Sequence, residues 1–84
     1  MARSLHMIER FIPADERDRY LAELAHRRAQ AAAAKAHFWA FEHAAHVGRF
    51  VEFTEAPSED ALAQACGHTD GPMADRWTEV VMPT

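Results

Sequence analysis

HFWAFEH at residues 37–43 and RFVEFTE at residues 49–55 are the two stretches that decide the fold. Large apolar and polar residues alternate along both, which is typical of β-strands because successive side chains point to opposite faces of a sheet. The intervening AAHVG contains Gly48, and glycine tolerates the positive φ that a tight turn requires. The two stretches therefore predict an antiparallel hairpin whose turn centres on His46.

The same alternation predicts how the two strands pair. Directly opposed residues point the same way, and a slip of one residue would mix the apolar and polar sets. The predicted pairs are Trp39 with Phe53, Phe41 with Val51, and His37 with Glu55. We expect the apolar side of this hairpin to be covered by helices.

Two helices and two further strands are predicted in the rest of the chain. They are a strand from Leu5 to Ile12, a long helix from an N-cap at Asp15 to about Lys35, a short helix from Glu59 to Cys66 with Ser58 as its N-cap and Gly67 after its end, and a strand from Arg76 to Val81. This order predicts one α+β domain over residues 1–84, a ferredoxin-like β-α-β-β-α-β fold. Its four-stranded antiparallel sheet has the order 4-1-3-2, with both helices on one face.

The long helix is expected to bury one apolar stripe, formed by Leu21, Leu24, Ala25, Ala29 and Ala32. Charged residues at three- and four-residue spacings predict a solvated opposite face, formed by Glu16, Arg19, Glu23 and Arg27.

Assigning strand residues to faces divides the apolar side chains into two sets. The helix-covered core is expected to contain Ile8, Ile12, Trp39, Phe41, Val51, Phe53 and Val80. The open face is expected to display Met7, Phe11, Phe38, Phe50 and Trp77, interleaved with Glu9, Glu42, Glu52 and Glu79. Five large apolar side chains on an open sheet predict a covering partner, and a homodimer through this face is the simplest one.

Composition excludes several classes of function. The 84 residues carry a formal net charge of −4 with scattered basic residues, which predicts no nucleic-acid partner. No run approaches the roughly 20 apolar residues of a membrane span, and the start does not read as a signal peptide, so we expect a cytoplasmic protein without membrane contact. Cys66 is the single cysteine, which rules out an internal disulfide.

With this element order, and with the strands at residues 38–42, 48–55 and 77–81, the chain resembles the dimeric α+β barrel superfamily, whose small members include antibiotic-biosynthesis monooxygenase-like proteins. The resemblance spans Leu5 to Val81. It implies two ferredoxin-like subunits packed sheet against sheet. It also implies a cofactor-independent enzyme, of oxygenase or isomerase type, that acts on a small hydrophobic or aromatic molecule.

The residues expected to carry chemistry lie on the predicted open face. Carboxylates in a partly apolar cavity can serve as general acids or bases, and the candidates are Glu52, Glu9, Glu42 and Glu79. Aromatic side chains beside them suit a small planar ligand, and the candidates are Trp77, Phe50, Phe38 and Phe11.

Other functions stay open at this point. Six histidines are present, but neither His43 with His46 nor His68 with Asp70 matches a three- or four-ligand spacing, so no metal site is predicted. No particular cofactor is indicated. The alternatives to an enzyme are a non-catalytic module that binds a small ligand or a metal, and a structural oligomerisation domain.

Overall fold

The computed structural model of the protein describes residues 3–66, 74–80 and 82. Its elements are β1 (Ser4–Phe11), a 3₁₀ turn (Ala14–Glu16), α1 (Arg17–Ala33), β2 (His37–Glu42), β3 (Arg49–Ala56), α2 (Glu59–Cys66) and β4 (Ala74–Thr78). The strands form one antiparallel sheet in the order β2-β3-β1-β4. This is the predicted order 4-1-3-2 read from the opposite edge, and it confirms the ferredoxin-like α+β fold.

The predicted hairpin register is confirmed. Trp39 pairs with Phe53, and Phe41 pairs with Val51. Gly48 has φ +90°, as expected, and a Cβ at this position would lie 2.6 Å from the carbonyl oxygen of Ile12. The turn is therefore closed against the end of β1, where the Ile12 N–H donates to the Gly48 carbonyl at 2.8 Å.

Three of the four helix ends lie close to their predicted positions, and the start of α1 does not. Ser58 caps α2, because its Oγ accepts the Ala61 N–H at 3.1 Å. Asp15 is not an N-cap: it lies inside the 3₁₀ turn that follows Pro13, and α1 begins at Arg17 without a side-chain cap. The helix α1 ends in a Schellman motif, in which the Ala36 N–H donates to the Ala31 carbonyl at 2.8 Å and Lys35 takes the left-handed φ of 60°.

The last strand is β4, Ala74–Thr78, and not the predicted range from Arg76 to Val81. Trp77 pairs with Leu5, and Val80 is exposed beyond the strand, so Val80 is not a core residue. Val81, Gly67 and the predicted loop at residues 68–72 lie outside the described residues.

In the hairpin strands β2 and β3 the helices cover the face opposite to the predicted one, whereas in β1 the predicted side is correct, with Ile8 under the helices and Phe11 on the open face. Both helices contact the even-numbered residues of the strands, and the buried apolar cluster consists of Ala31, Ala36, Ala56, Leu62 and Ala65, with Phe38 packed against it. Phe50 is also buried on this face, under Tyr20. Trp39 and Phe41 are on the open face and exposed, and Val51 and Phe53 share that face and are half-buried. Of the predicted core, Ile8 is buried and Ile12 is half-buried beyond β1.

This inversion has a physical cause. Alternation shows which residues share a face, but both faces of this sheet carry large apolar side chains as well as glutamates, so alternation cannot show which face the helices take. Small residues such as Ser4, Thr54 and Ala56 on the even face let the alanine-rich helices approach closely, whereas the bulk of Trp39 and Phe53 would hold them away.

The buried side of α1 also differs from the prediction. Tyr20 and Ala31 are its buried residues, whereas Ala25, Ala29 and Ala32 are exposed. Arg27, expected to be solvated, is half-buried because its guanidinium pairs with the buried Glu52. The methylene groups of an arginine pack as an apolar chain, so Arg27 can lie on the buried side of α1 when a carboxylate pairs with its guanidinium group.

Candidate functional site

A buried carboxylate lies between the sheet and the helices. Glu52 is only 2% exposed and belongs to β3, a central strand. Its neighbour across the β1/β3 ladder is Ile8, so it points toward the helices from the middle of the sheet. A buried ionised carboxylate requires partners, since water is excluded from it.

Three side chains satisfy Glu52, and together we call the four residues the Glu52 cluster. Oε2 accepts from Arg10 Nε at 2.6 Å, from the Tyr20 hydroxyl at 2.7 Å and from Arg27 Nη2 at 3.1 Å, while Oε1 accepts from Arg27 Nε at 2.7 Å. A carboxylate offers about four lone-pair positions, so these donors occupy its accepting capacity. Glu52 therefore holds the three donor side chains in place.

Tyr20 links the cluster to the aromatic core. Its ring lies 4.7 Å from that of Phe50, and the guanidinium of Arg27 lies 5.8 Å from the centre of the tyrosine ring. Burial, followed by the hydrogen bond to Glu52, raises the pKa of the Tyr20 phenol well above its ordinary value. The phenol consequently remains a hydrogen-bond donor at any physiological pH.

A small cavity adjoins the cluster. Its volume is about 40 Å³, and its lining includes His6, Arg10, Arg27, Phe38, Glu52 and Thr54. His6 is 4% exposed. It precedes Ile8 by two residues in β1, so the two side chains lie on the same face of the sheet. A space of this size, lined by both polar and apolar side chains, holds a few water molecules or a small chemical group. We call it the helix-side pocket.

The structure divides the predicted catalytic glutamates between two faces. Glu52 and Glu42 lie on the helix side, whereas Glu9 lies on the open side and pairs with Arg49 at 3.2 Å. Glu79 is exposed after β4, where its carboxylate accepts the Arg3 N–H at 3.1 Å. The four carboxylates do not converge, so the expected shared cavity on the open face is wrong; a catalytic role for any of them stays a prediction.

Glu42 has a structural task at the end of β2. Arg17 donates to it through Nη1 at 2.7 Å and Nη2 at 2.8 Å, and the Gly48 N–H donates at 2.9 Å. These bonds, the Arg17 side chain first, lower the pKa of Glu42 to about 2. The carboxylate thus joins the start of α1 to the hairpin turn.

The predicted ligand-binding aromatics are divided in the same way. Phe38 lines the helix-side pocket and Phe50 packs under Tyr20, whereas Phe11 and Trp77 are exposed on the open face. Phe38 is therefore the one member that the structure places beside Glu52 in a cavity. A role in ligand binding for these residues stays a prediction.

Sequence reasoning missed most of the pocket lining, namely His6, Arg10, Arg27 and Thr54, and it missed Tyr20 of the Glu52 cluster. One signal was present: Tyr20 and Arg27 are seven residues apart, two helical turns, and so lie on one face of α1. In β1, His6, Ile8 and Arg10 alternate with Met7 and Glu9, but this pattern does not show which set faces the helices.

Metal ligands do not cluster in the described part of the chain, where no three histidine, cysteine or acidic side chains could hold one ion. The rings of His43 and His46 are 4.6 Å apart in the turn, and His43 Nδ1 accepts the Ala45 N–H. Within residues 3–66, 74–80 and 82, no helix is both long and apolar enough to cross a membrane.

Comparison with solved structures finds the same fold elsewhere. A structure described as the crystal structure of antibiotic biosynthesis monooxygenase superposes with a TM-score of 0.65 at 16% sequence identity, covering 99% of this chain and 100% of that one. No protein-family model matches the sequence. No curated protein matches it either. The chain therefore has the ferredoxin-like fold of antibiotic-biosynthesis-monooxygenase type, and at this identity the likeness shows the fold alone.

Proposed function

We propose that the protein is a homodimeric, cofactor-independent oxygenase that acts on a small phenol or enol in the helix-side pocket. The observation that carries this proposal is the pocket itself, where a buried histidine lies beside two guanidinium groups and one carboxylate. The structural neighbour described as a monooxygenase supports the reaction type by analogy of fold.

The pocket's charges suit a reaction that passes through an anion. His6 accepts the proton of the substrate hydroxyl, and the two guanidinium groups, which exceed the single Glu52 carboxylate in charge, stabilise the resulting phenolate or enolate. An electron-rich anion of this kind can reduce dioxygen without an added reductant. In the phenol case one oxygen atom ends as a quinone carbonyl, the other leaves as water, and the ring supplies all the electrons.

The size of the pocket decides how a substrate enters. A volume of about 40 Å³ does not hold an aromatic ring, so the long side chain of Gln30 at the rim rotates outward on binding. Gln30 is exposed, whereas Arg10 is held in place by its hydrogen bond to Glu52.

Dimerisation is supported by the open face. Its exposed aromatics are Phe11 at 62%, Phe41 at 56%, Trp77 at 54% and Trp39 at 44%. Four charged side chains on the same face neutralise one another in pairs, Glu9 with Arg49 and Arg3 with Glu55. A second copy offers a matching apolar sheet, and two sheets pack about 10 Å apart.

Oxygen consumption tests the proposed reaction. Purified protein in the presence of a chelator is given a panel of phenols and 1,3-diketones, and we expect uptake of dioxygen with one labelled oxygen atom in the product. His6→Asn should abolish the uptake, whereas His26→Asn, on the exposed side of α1, should leave it unchanged. Absence of uptake across the panel, or full uptake by folded His6→Asn, would contradict the proposal.

A structural oligomerisation domain is the second candidate. The small cavity and the fully hydrogen-bonded Glu52 favour it, because both are features of a filled core. In that case the dimer forms but no member of the panel raises the melting temperature of the protein.

A further inference from the structure

Arg10 has unused hydrogen-bonding capacity at the edge of the helix-side pocket. Its Nε donates to Glu52 at 2.6 Å, but its two Nη groups make no hydrogen bond within residues 3–66, 74–80 and 82. The side chain is 32% exposed, so the guanidinium stands between the buried cluster and solvent. Its fork of N–H groups is therefore available to a ligand.

Glu52 cannot neutralise both arginines. Its accepting positions are already taken by Arg10, Tyr20 and Arg27, and the second carboxylate beside Arg27, that of Glu23, is 3.7 Å away and about half exposed. Two half-buried guanidinium groups therefore face one buried carboxylate at the pocket. A bound anion would pair with the guanidinium group of Arg10.

We infer that the ligand of the helix-side pocket carries a carboxylate, which the Nη groups of Arg10 bind at the pocket mouth. This inference rests on the proposed function, because it concerns the same pocket. A planar carboxylate matches the planar guanidinium fork with two parallel hydrogen bonds, and its two oxygen atoms fit a narrow opening. Small hydroxylated aromatic or enolic acids are thus the substrate class.

Titration of isotope-labelled protein by NMR tests this with benzoate, benzamide and inorganic phosphate as probes. We expect benzoate to shift the Arg10 Nε–H signal and the amide signals of His6 and Thr54. We expect it to bind roughly ten-fold tighter than benzamide, the neutral molecule of nearly the same shape. Phosphate should bind more weakly than benzoate, since it does not share the planar geometry.

Variants assign the preference to Arg10. Arg10→Gln should bring the benzoate and benzamide affinities to within about two-fold, and Arg10→Lys, which keeps the charge but loses the fork, should weaken benzoate binding. Arg28→Gln, on the exposed side of α1, should change neither affinity. The signal of Arg10 in the unmodified protein gives the answer even if a variant does not fold.

The outcomes separate this inference from the proposed oxygenase. Equal binding of benzoate and benzamide, phosphate binding as tight as benzoate, or no shift of the Arg10 signal overturns the carboxylate subsite, whatever the oxygen-uptake result. Selective benzoate binding without any oxygen uptake by the panel supports the subsite and removes the oxygenase.

Discussion

Glu52 is a buried, hydrogen-bonded carboxylate that contributes both to the fold and to the lining of the helix-side pocket. It lies in the middle of the sheet, where an apolar residue would be the ordinary choice, and three side chains from two other elements converge on it. Such a cluster costs desolvation free energy but fixes the position of α1 against β1 and β3. Each member therefore supports the geometry of the others.

Glu52→Gln should destabilise the protein by about 3 kcal/mol at neutral pH, near the low end of the cost of breaking a buried ion pair, because both arginines keep partial contact with water. Denaturation by urea at pH 7 measures this. Glu23→Gln, which alters an exposed pair with the same Arg27, should change stability by roughly 0.5 kcal/mol or less. A glutamine variant as stable as the parent would show that the four hydrogen bonds do not hold the cluster.

The ionisation of Tyr20 can be followed directly by absorbance, since it is the only tyrosine of the chain. Burial first, and then Glu52, raise its pKa above the ordinary 10.0, so the folded state keeps the proton that the unfolded state loses. The stabilising contribution is complete below pH 10 and decreases as the pH rises further. We expect tyrosinate absorbance to be absent at pH 10 in the folded protein, and to appear at lower pH in Glu52→Gln than in the parent. Half-ionisation near pH 10 in the folded parent would contradict the buried placement.

At the scale of elements, the sequence predicts the strand pairing, the helix cap and the turn correctly. It predicts less well which elements pack against each other. The pairing of Trp39 with Phe53 follows from alternation, the cap at Ser58 from its own hydroxyl, and the turn at Gly48 from its missing Cβ. Each depends on residues close together in the chain. They are correct because the local chemistry alone specifies them.

The choice of the buried face and the composition of the pocket depend on distant residues. Glu52 is acceptable under the helices only because Arg10 and Arg27 reach it, and they lie 42 and 25 residues away in sequence. The strand pattern alone predicts that a glutamate faces solvent. Because all alternate residues of the hairpin share that face, the prediction assigns the wrong face of β2 and β3 to the helices. The sequence therefore predicts only Glu52 and Phe38 of the residues that line the helix-side pocket.

The junction between α1 and the hairpin should be sensitive to acid. Arg17, followed by the Gly48 N–H, lowers the pKa of Glu42 from its ordinary 4.5 to about 2, so this carboxylate contributes stability that is present above pH 4.5 and is lost as the pH falls through about 2. The melting temperature of the parent should exceed that of Glu42→Gln at pH 6, and the gap should close on acidification. Arg17→Gln should reproduce this loss. A gap that persists unchanged at pH 2 would mean that the charge of Glu42 is not the cause.

At the scale of the whole molecule, the two faces of the sheet differ in the side chains they present. The helix side buries a polar cluster next to a small cavity, and the open side exposes four aromatic rings around paired charges. A monomer would leave this apolar face in water, whereas a sheet-to-sheet dimer removes it from water and leaves both helix-side pockets accessible. The face assigned to dimerisation is therefore lined mainly by Phe41, Trp39 and Trp77.

Phe41→Glu should dissociate the proposed dimer. The substitution places a carboxylate on the apolar face at its edge strand β2, and two-fold symmetry makes it occur twice in the interface, so we expect the dissociation constant to rise roughly 100-fold or more. Phe41 is more than half exposed in the single chain, and so the fold itself should persist, with an unchanged circular dichroism spectrum. Val47→Glu provides the matched control, since Val47 is exposed in the hairpin turn away from the strands, and it should leave the dimer intact. Analytical ultracentrifugation of the three proteins measures their association. A parent that sediments as a monomer at micromolar concentration would refute sheet-to-sheet association. A Phe41→Glu variant that dimerises as tightly as the parent would refute it as well.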